Sequence, residues 1–434
     1  MEKIEAPLKR MYFLDLFRGI SIMLVVFIHA ISEEWSKSFD LVEGSMEPTP
    51  IINFIFYFGT LGGVFHFMMA AVLAFTMQRK FAAGKALLNE LVIRGVIKGT
   101  ILLSLHYIFR PLFSFLDGIV YYYIRDGTIH TPSPENVINL STFAMLGWTS
   151  IMMSLLLGLL YRDGGQTKRR RNYTILISLS TVVLVVTPFV RVALVDIVSD
   201  LIAQQHYFRA GILGFLVYDD FPIFPFAAYG MLGVVLGDHL AHASGPAFTK
   251  KYLNLYAIFW ILVGVIGISV MGGMDAGSLF DYDPDSLYRE TFRQYTQVGF
   301  LLFLFQYGVQ WYDVHKNKNL NVKIRNHHTR FLHRVSNISL TIFLFEGILM
   351  VGIHRVILLL FPGTTWNDSM ALVVIFAICL VLMWFGIALL LFKYQKMGPV
   401  ETVLKFLVNT LTKIIFTQTQ NPKLGVVKEI EHIH

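Results

Sequence analysis

Asp15, Arg18 and His29 fall inside one apolar run of the chain, where ionisable side chains are out of place. A charge at the centre of a membrane helix costs about 2.5–3.5 kcal/mol on insertion scales, so each such group calls for an account. Asp15 and Arg18 are three apart and share a helical face, where they can pair and anchor the helix end. His29 follows Arg18 by eleven residues, close to three full turns and about 16 Å along the axis. One stripe thus presents a cation toward one membrane face and an imidazole toward the other. Such a histidine is either a structural hydrogen-bonding group or a general base. His66 lies in Gly62-Gly63-Val64-Phe65-His66-Phe67-Met68, where two glycines permit close approach of a helix or a ligand. It reads as a buried histidine bonded to a neighbouring helix or as a second candidate for catalysis. Arg94 and Lys98, four apart, repel one another; they snorkel to the interface or share an anionic partner. His106, in the same run, reads as a satisfied bundle histidine.

Carboxylates complete the set. Asp219-Asp220-Phe221-Pro222-Ile223-Phe224-Pro225 opens a further apolar run, with both prolines suited to a first helical turn and an aspartate suited to capping it. Capping accounts for one aspartate better than for two. Asp219 and Asp220 are therefore candidates for meeting a hydroxyl- or amine-bearing substrate, and Asp220 also for catalysis. Glu346 sits about a third of the way along a late apolar run that Ser336-Asn337-Ile338-Ser339-Leu340-Thr341 opens. Buried there, it is neutral or it pairs with a group such as His29, Arg94 or Arg355. It joins the substrate-binding candidates. Metal-ligand spacing, a Gly-rich phosphate loop and G-x-S-x-G are all missing from the sequence, so no metal is expected. The single Cys379 excludes an intramolecular disulfide.

The elements that must position these groups are membrane helices. Hydrophobic residues make up 55% of the 434 and charged residues 15%, against about 45–50% and about 25% in soluble domains. Apolar runs near the length a helix needs to cross a bilayer predict an all-α bundle of about ten transmembrane helices. They lie near 12–32, 51–78, 92–116, 140–161, 173–192, 222–243, 252–272, 293–312, 332–360 and 369–394. Basic loops around Arg79, Lys168, Lys250 and Lys316 alternate with acidic ones carrying Glu33, Glu34 and Asp281 to Asp285. That alternation places both termini in the cytoplasm. It also absorbs the net charge of +7, so nucleic acid is not an expected partner, whereas the lipid bilayer is. The first run lacks a small-residue cleavage site and reads as a retained helix. Residues 193–221 are expected to form an interfacial helix, and Gly398-Pro399-Val400-Glu401 to open a short amphipathic one. Residues 1–415 form a single membrane domain on this reading, with 416–434 a polar, loosely ordered tail. Cations near the inner face, a histidine stripe outward and carboxylates beyond suit a phosphate-bearing ligand whose reactive end reaches across.

With those residues in view, the chain resembles transmembrane acyltransferases of the heparan-alpha-glucosaminide N-acetyltransferase-like group. The resemblance rests on Leu14-Asp15-Leu16-Phe17-Arg18-Gly19 and the run to His29, and on Phe65-His66-Phe67-Met68-Met69-Ala70. It rests also on Asp220 to Pro225 leading into Tyr229-Gly230-Met231-Leu232-Gly233, on Ser339-Leu340-Thr341, and on Gly398-Pro399-Val400-Glu401. Each patch is short; their order along the chain carries the likeness. The resemblance implies acetyl-CoA or another acyl-CoA as co-substrate entering from the cytoplasm, with transfer to a saccharide or amino-sugar acceptor outside. Arg18, Arg94 and Lys98 would meet coenzyme A phosphates. His29 would be the base, with His66 the next candidate. One departure stands out: the lysosomal branch has its catalytic histidine in the loop after the first span, and residues 31–65 hold none. The placement of His29 is instead similar to bacterial membrane O-acyltransferases, so oxygen and nitrogen acceptors both stay open, as do a ternary complex and an acyl-histidine. A prokaryotic cytoplasmic membrane fits the lack of disulfides, and a homo-oligomer is compatible with everything above. Two other readings compete: a secondary transporter of an anionic metabolite, and a non-catalytic polysaccharide-export partner that keeps only the fold.

Overall fold

The structure is a computed structural model, described over residues 11–35, 62–84, 87–113, 118–132, 141–218, 221–242, 247–271, 284–314, 330–394 and 397–420. Among these residues there are fourteen α-helices and no strand. In chain order they are α1 (Tyr12–Glu34), α2 (Gly63–Ala82), α3 (Leu88–Phe113), α4 (Ile119–Asp126), α5 (Thr142–Tyr161), α6 (Arg169–Ala203) and α7 (Tyr207–Val217). There follow α8 (Ile223–Ala241), α9 (Ala247–Val270), α10 (Pro284–Val309), α11 (Arg330–Ser336), α12 (Ser339–Leu360), α13 (Met370–Tyr394) and α14 (Pro399–Gln420). Eight helical segments are long and apolar enough to cross a bilayer, the makeup of a multi-pass membrane protein: α1, α3, α5, α6, α8, α9, α12 and α13.

The bundle is inside-out in the sense a bilayer demands. Helix α8 is buried at every residue from Pro225 to Asp238, and α2 packs along it with His66 and Gln78 enclosed. Small residues make that contact possible. A Cβ on Gly233 would come within 2.3 Å of the Phe67 carbonyl oxygen, and one on Gly237 within 2.1 Å of that of Ala71. The outward faces are apolar instead: Leu255, Phe259, Leu262 and Ile266 on α9, and Ile375, Leu382 and Leu390 on α13, are all exposed.

Paired contacts give the relative direction of every long helix. His29 meets Glu346 and Glu34 meets His354, so α1 and α12 run parallel. Gly233 on Phe67 and Gly237 on Ala71 make α2 and α8 parallel, and Gly230 on Met153 with Tyr161 on Asp238 adds α5 to them. His106 bonds Ser141 while Ser150 bonds the Gly95 carbonyl, so α3 and α5 are antiparallel. Tyr295 on Leu184 with Arg191 on Glu290 sets α6 against α10, and Asn254 on Tyr307 with Trp260 on Tyr295 sets α9 against α10. The Asp313 carboxylate, just past α10, accepts the Tyr12 and Phe13 backbone N–H groups at 3.0 and 3.1 Å, and Phe305 packs on Phe17, so α1 opposes α10. Phe331 of α11 on Phe385, with Trp366 past the end of α12 on Phe376, opposes α13 to the α11–α12 run. Tyr229 on Gln294 with Phe67 on Phe305 aligns α10 with α2 and α8. Taken in chain order, α1, α2, α3, α5, α6, α8, α9, α10, α12 and α13 alternate in direction without exception.

Three expectations change. Residues 193–221 do not form one interfacial helix. Helix α6 continues through Pro188 and Val198 to Ala203, and Gln205 at φ 60° breaks it before the separate α7. Val195 and Val198 are buried against Ala210, Val217 and Leu287, which is why the apolar periodicity carries on past the expected end. The run at 332–360 is interrupted at Asn337–Ile338, between α11 and α12. Helix α14 runs as far as Gln420, into the stretch read as a loose tail. Residues 51–61 and 421–434 lie outside the described residues, as do the loops around Lys316 and Asp281.

The break before α12 is held by α14. Glu401 Oε1 accepts the Leu340 and Thr341 backbone N–H groups at 2.6 and 3.2 Å, and Oε2 accepts the Thr341 hydroxyl at 2.7 Å. A carboxylate there satisfies donors that open a helix and meets its positive dipole end. Glu401→Ala should cost about 1–3 kcal/mol, because part-buried N–H groups lose their acceptor. Thermal unfolding in detergent should show a clear drop in midpoint, with Glu401→Gln intermediate; an unchanged midpoint for Glu401→Ala would mean the cap is not holding α12.

Candidate functional site

Helix α1 carries its polar stripe as the spacing requires, and the structure supplies the partners. Arg18 Nε donates to Ser336 Oγ at 2.7 Å, from the last residue of α11, and its terminal nitrogen reaches Asp15 at 3.4 Å. At the other end of the stripe His29 Nδ1 lies 2.8 Å from Glu346 Oε1 of α12. Glu346 is 8% exposed and its Oε2 is buried with no hydrogen bond, whereas His29 is 32% exposed. A carboxylate on Nδ1 favours the tautomer with hydrogen there, so the basic lone pair sits on Nε2. That is the arrangement of an oriented base: the acid fixes the ring and stabilises its protonated form.

The cations of α3 join the Arg18 half of the stripe. The charges of Arg18 and Arg94 both act on Lys98, which puts the three within electrostatic reach of one another. Lys98 Nζ is 3.6 Å from Met69 Sδ of α2, a weak acceptor, and Arg94 donates to the Asn409 side-chain carbonyl of α14. Among the described residues neither Arg94 nor Lys98 forms an ion pair with a carboxylate. Arg18 meets Ser336 of α11 and Arg94 meets Asn409 of α14, so the elements around the helix break described above also hold the cation cluster.

The remaining candidates lie apart. His66 is fully buried between α2, α5 and α8: Nδ1 is 2.6 Å from Thr149 Oγ1, and the ring stacks on Phe226 with centroids 4.9 Å apart and leans on Trp148 at 4.7 Å. Three neighbours enclose it, on helices other than the α1–α12 pair. Asp219 and Asp220 lie outside the described residues. His106 bonds Ser141 at 2.6 Å, in keeping with a bundle histidine. No group of three or more His, Cys, Asp or Glu among the described residues could hold a metal ion.

Residues that sequence reasoning passed over also matter. Glu34, counted there as a loop acid, receives His354 Nδ1 of α12, repeating the His29–Glu346 contact with the roles exchanged between helices. Asn409 and Ser336 hold the two arginines, and no local pattern announces either. The crossed order was visible in principle, since one helix reads His then Glu and the other Glu then His. A double-mutant cycle on Glu34→Gln and His354→Asn should return a coupling of about 0.5–3 kcal/mol in unfolding free energy, the range for directly bonded partners. Strict additivity of the two single losses would show that the pair contributes nothing to register.

Set beside protein-family models and curated proteins, the sequence matches none of them.

Proposed function

We propose that the chain is an integral membrane acyltransferase that moves an acyl group, acetyl foremost, from cytoplasmic acyl-CoA to a hydroxyl or amine of an acceptor on the outer side. The observation that carries this reading is the geometry of α1. It holds His29 against Glu346 about 16 Å from Arg18 along one stripe, and Arg18 shares its electrostatic surroundings with Arg94 and Lys98. Arg94 and Lys98, without carboxylate partners among the described residues, suit the phosphates of coenzyme A beside Arg18, and its extended pantetheine arm suits the distance to an oriented base. The alternating directions of ten long helices support ten crossings, with α2 and α10 added to the eight apolar spans. Arg79, Lys80, Arg169 to Arg171, Arg334 and Lys393 gather at the end where α1 begins, and Glu33, Glu34 and Asp368 at the other. That supports cytoplasmic termini. A prokaryotic cytoplasmic membrane belongs to the same proposal, in keeping with a single cysteine, Cys379.

The chemistry needs one base. His29 Nε2 takes the proton from the acceptor O–H or N–H as that atom attacks the thioester carbonyl. The C–S bond then breaks, coenzyme A leaves as the thiolate, and the imidazolium returns the proton to it. Glu346 keeps the Nδ1–H bond throughout and offsets the charge that develops on the ring. Glu346 is thus a positioning residue on this reading, rather than one that binds the acceptor.

Acetyl-CoA should raise the unfolding midpoint of the solubilised protein. A ligand bound only by the native state at a hundred times its dissociation constant adds about 2.7 kcal/mol. Arg18→Ala or Lys98→Ala should abolish the shift. His29→Ala should keep it while lowering acetyl-CoA turnover by about 10²–10⁴-fold, the usual worth of a general base. Equal shifts with free acetate, or none with acetyl-CoA at any concentration, would contradict the reading.

A further inference from the structure

Helix α10 opens with a polar face that the reaction does not use. Arg289, Arg293 and Gln297 follow at intervals of four and form one stripe, beside a second stripe of Glu290 and Gln294. Glu290 reaches across to α6. Its Oε2 lies 2.7 Å from Arg191 Nη1, and its Oε1 accepts from Gln294 Nε2 at 2.8 Å and from Arg293 Nη2 at 3.4 Å. Pro188 prepares α6 for this contact. It has no N–H to give the Leu184 carbonyl oxygen, which accepts the Tyr295 hydroxyl of α10 at 2.6 Å instead. That bond and the Arg191–Glu290 pair clamp the two helices on either side of the proline.

An ion pair tying α6 to α10 explains Arg191 and Glu290, but not the groups around them. One carboxylate serves two guanidinium groups, Arg191 and Arg293, which are 1% and 3% exposed. Arg191 Nε is buried with no hydrogen bond, as is Arg289 Nε, and so are both amide atoms of Gln297. Guanidinium groups keep their charge, and Arg289 and Arg293, four apart on one helix, repel. Buried charge of this density is costly until an anion answers it. Arg191 follows Arg169 by twenty-two residues, about 33 Å along α6, against a hydrocarbon core of about 30 Å. The cluster therefore stands opposite the basic end where α1 begins, at the level of lipid headgroups. Beside it α6 and α9, which both pack on α10, expose Val185, Phe189, Leu262 and Ile266.

We infer that Arg191, Arg289 and Gln297 bind a phosphate group at this end of the bundle. A guanidinium fork matches two oxygens of an oxyanion, and a tetrahedral phosphate keeps further oxygens for a guanidinium on a second helix and for the Gln297 amide. Two sources carry that chemistry. One is the headgroup of an anionic lipid, whose acyl chains would lie on the apolar faces of α6 and α9, as basic pockets between membrane helices hold such lipids. The other is free phosphate from the medium. The inference stands apart from the acyltransferase reading, which uses the cations around Arg18 at the opposite end.

The test follows thermal unfolding of the full-length protein in a neutral detergent. Dihexanoylphosphatidylglycerol and inorganic phosphate are the phosphate probes; chloride at matched ionic strength and dihexanoylglycerol, which lacks phosphate, are the controls. At least one phosphate probe should raise the midpoint, and neither control should. A shift from the phospholipid alone assigns the site to a lipid headgroup, and a shift from inorganic phosphate extends it to free anions. Arg289→Gln and Gln297→Leu should each weaken the apparent affinity about tenfold, the worth of one hydrogen bond to a charged group. Gln297→Leu should also unfold no earlier than the parent protein without ligand, because an apolar group replaces a buried amide that bonds nothing. Lys98→Ala should keep the shift, which separates this site from the cations beside Arg18. No shift from either phosphate probe overturns the inference, as does an equal shift from chloride. A shift undiminished in both Arg289→Gln and Gln297→Leu, or one lost in Lys98→Ala, overturns it as well.

Discussion

Two carboxylate–histidine contacts, His29 with Glu346 and Glu34 with His354, fasten α1 to α12, and the remaining arrangement follows from that register. Inside a bilayer there is no water to replace a lost partner, so each group must meet the other or be buried unpaired. Sliding either helix by one turn would strand both pairs at once. The alternating order of acid and base along the two helices adds direction to the lock, since an antiparallel α12 would set one pair in contact and separate the other. Once register is fixed, Arg18 falls beside Ser336 and His29 faces Glu346, with three turns of apolar helix between them.

The helix break before α12 makes the Arg18 half of this arrangement possible. Gly398 donates its N–H to the Asn337 carbonyl oxygen at 3.3 Å, and the next turn brings Glu401 onto the exposed donors of α12. The chain thereby re-enters the level of the cation cluster after its last long helix. Leu404 and Val408 of α14 pack toward Leu102 and Leu344, while Asn409 holds Arg94. Val403, Phe406 and Ile414 point away from the bundle and are exposed, as residues facing lipid would be. One helix therefore caps α12, positions an arginine and covers apolar surface.

Much of this was legible in the sequence, and the rest was hidden for physical reasons. The eleven-residue interval from Arg18 to His29 is a local regularity, so helical geometry alone set both on one stripe. Glu346 was recognisable as needing a partner, but which one depends on tertiary packing that no local pattern encodes. Glu34 was read as a loop acid because it closes its helix, and its match with His354 is likewise long-range. The apolar run at 293–312 begins later than α10 does at Pro284, because Glu290, Arg293, Gln294 and Gln297 are polar; Glu290 bonds Arg191 at 2.7 Å and Gln294 at 2.8 Å, so this part of the helix is held by partners rather than by lipid contact. The charges Asp196 and Asp200 made α6 look as if it ended early, although Val195 and Val198 kept its buried face continuous. His66 was well chosen as a buried polar group, and its three enclosing neighbours, Thr149, Trp148 and Phe226, come from helices remote in sequence.

The central claim is that donor and acceptor meet the same stripe from opposite faces of the membrane. Sealed vesicles with a single protein orientation test it most directly, with acetyl-labelled acetyl-CoA supplied only on the side where α1 begins. The account predicts that free coenzyme A accumulates on that side while the label appears on the other in an acetylated product or as acetate, and that His29→Ala abolishes both. Intact acetyl-CoA crossing the membrane, or label that never leaves the side of supply, would contradict it.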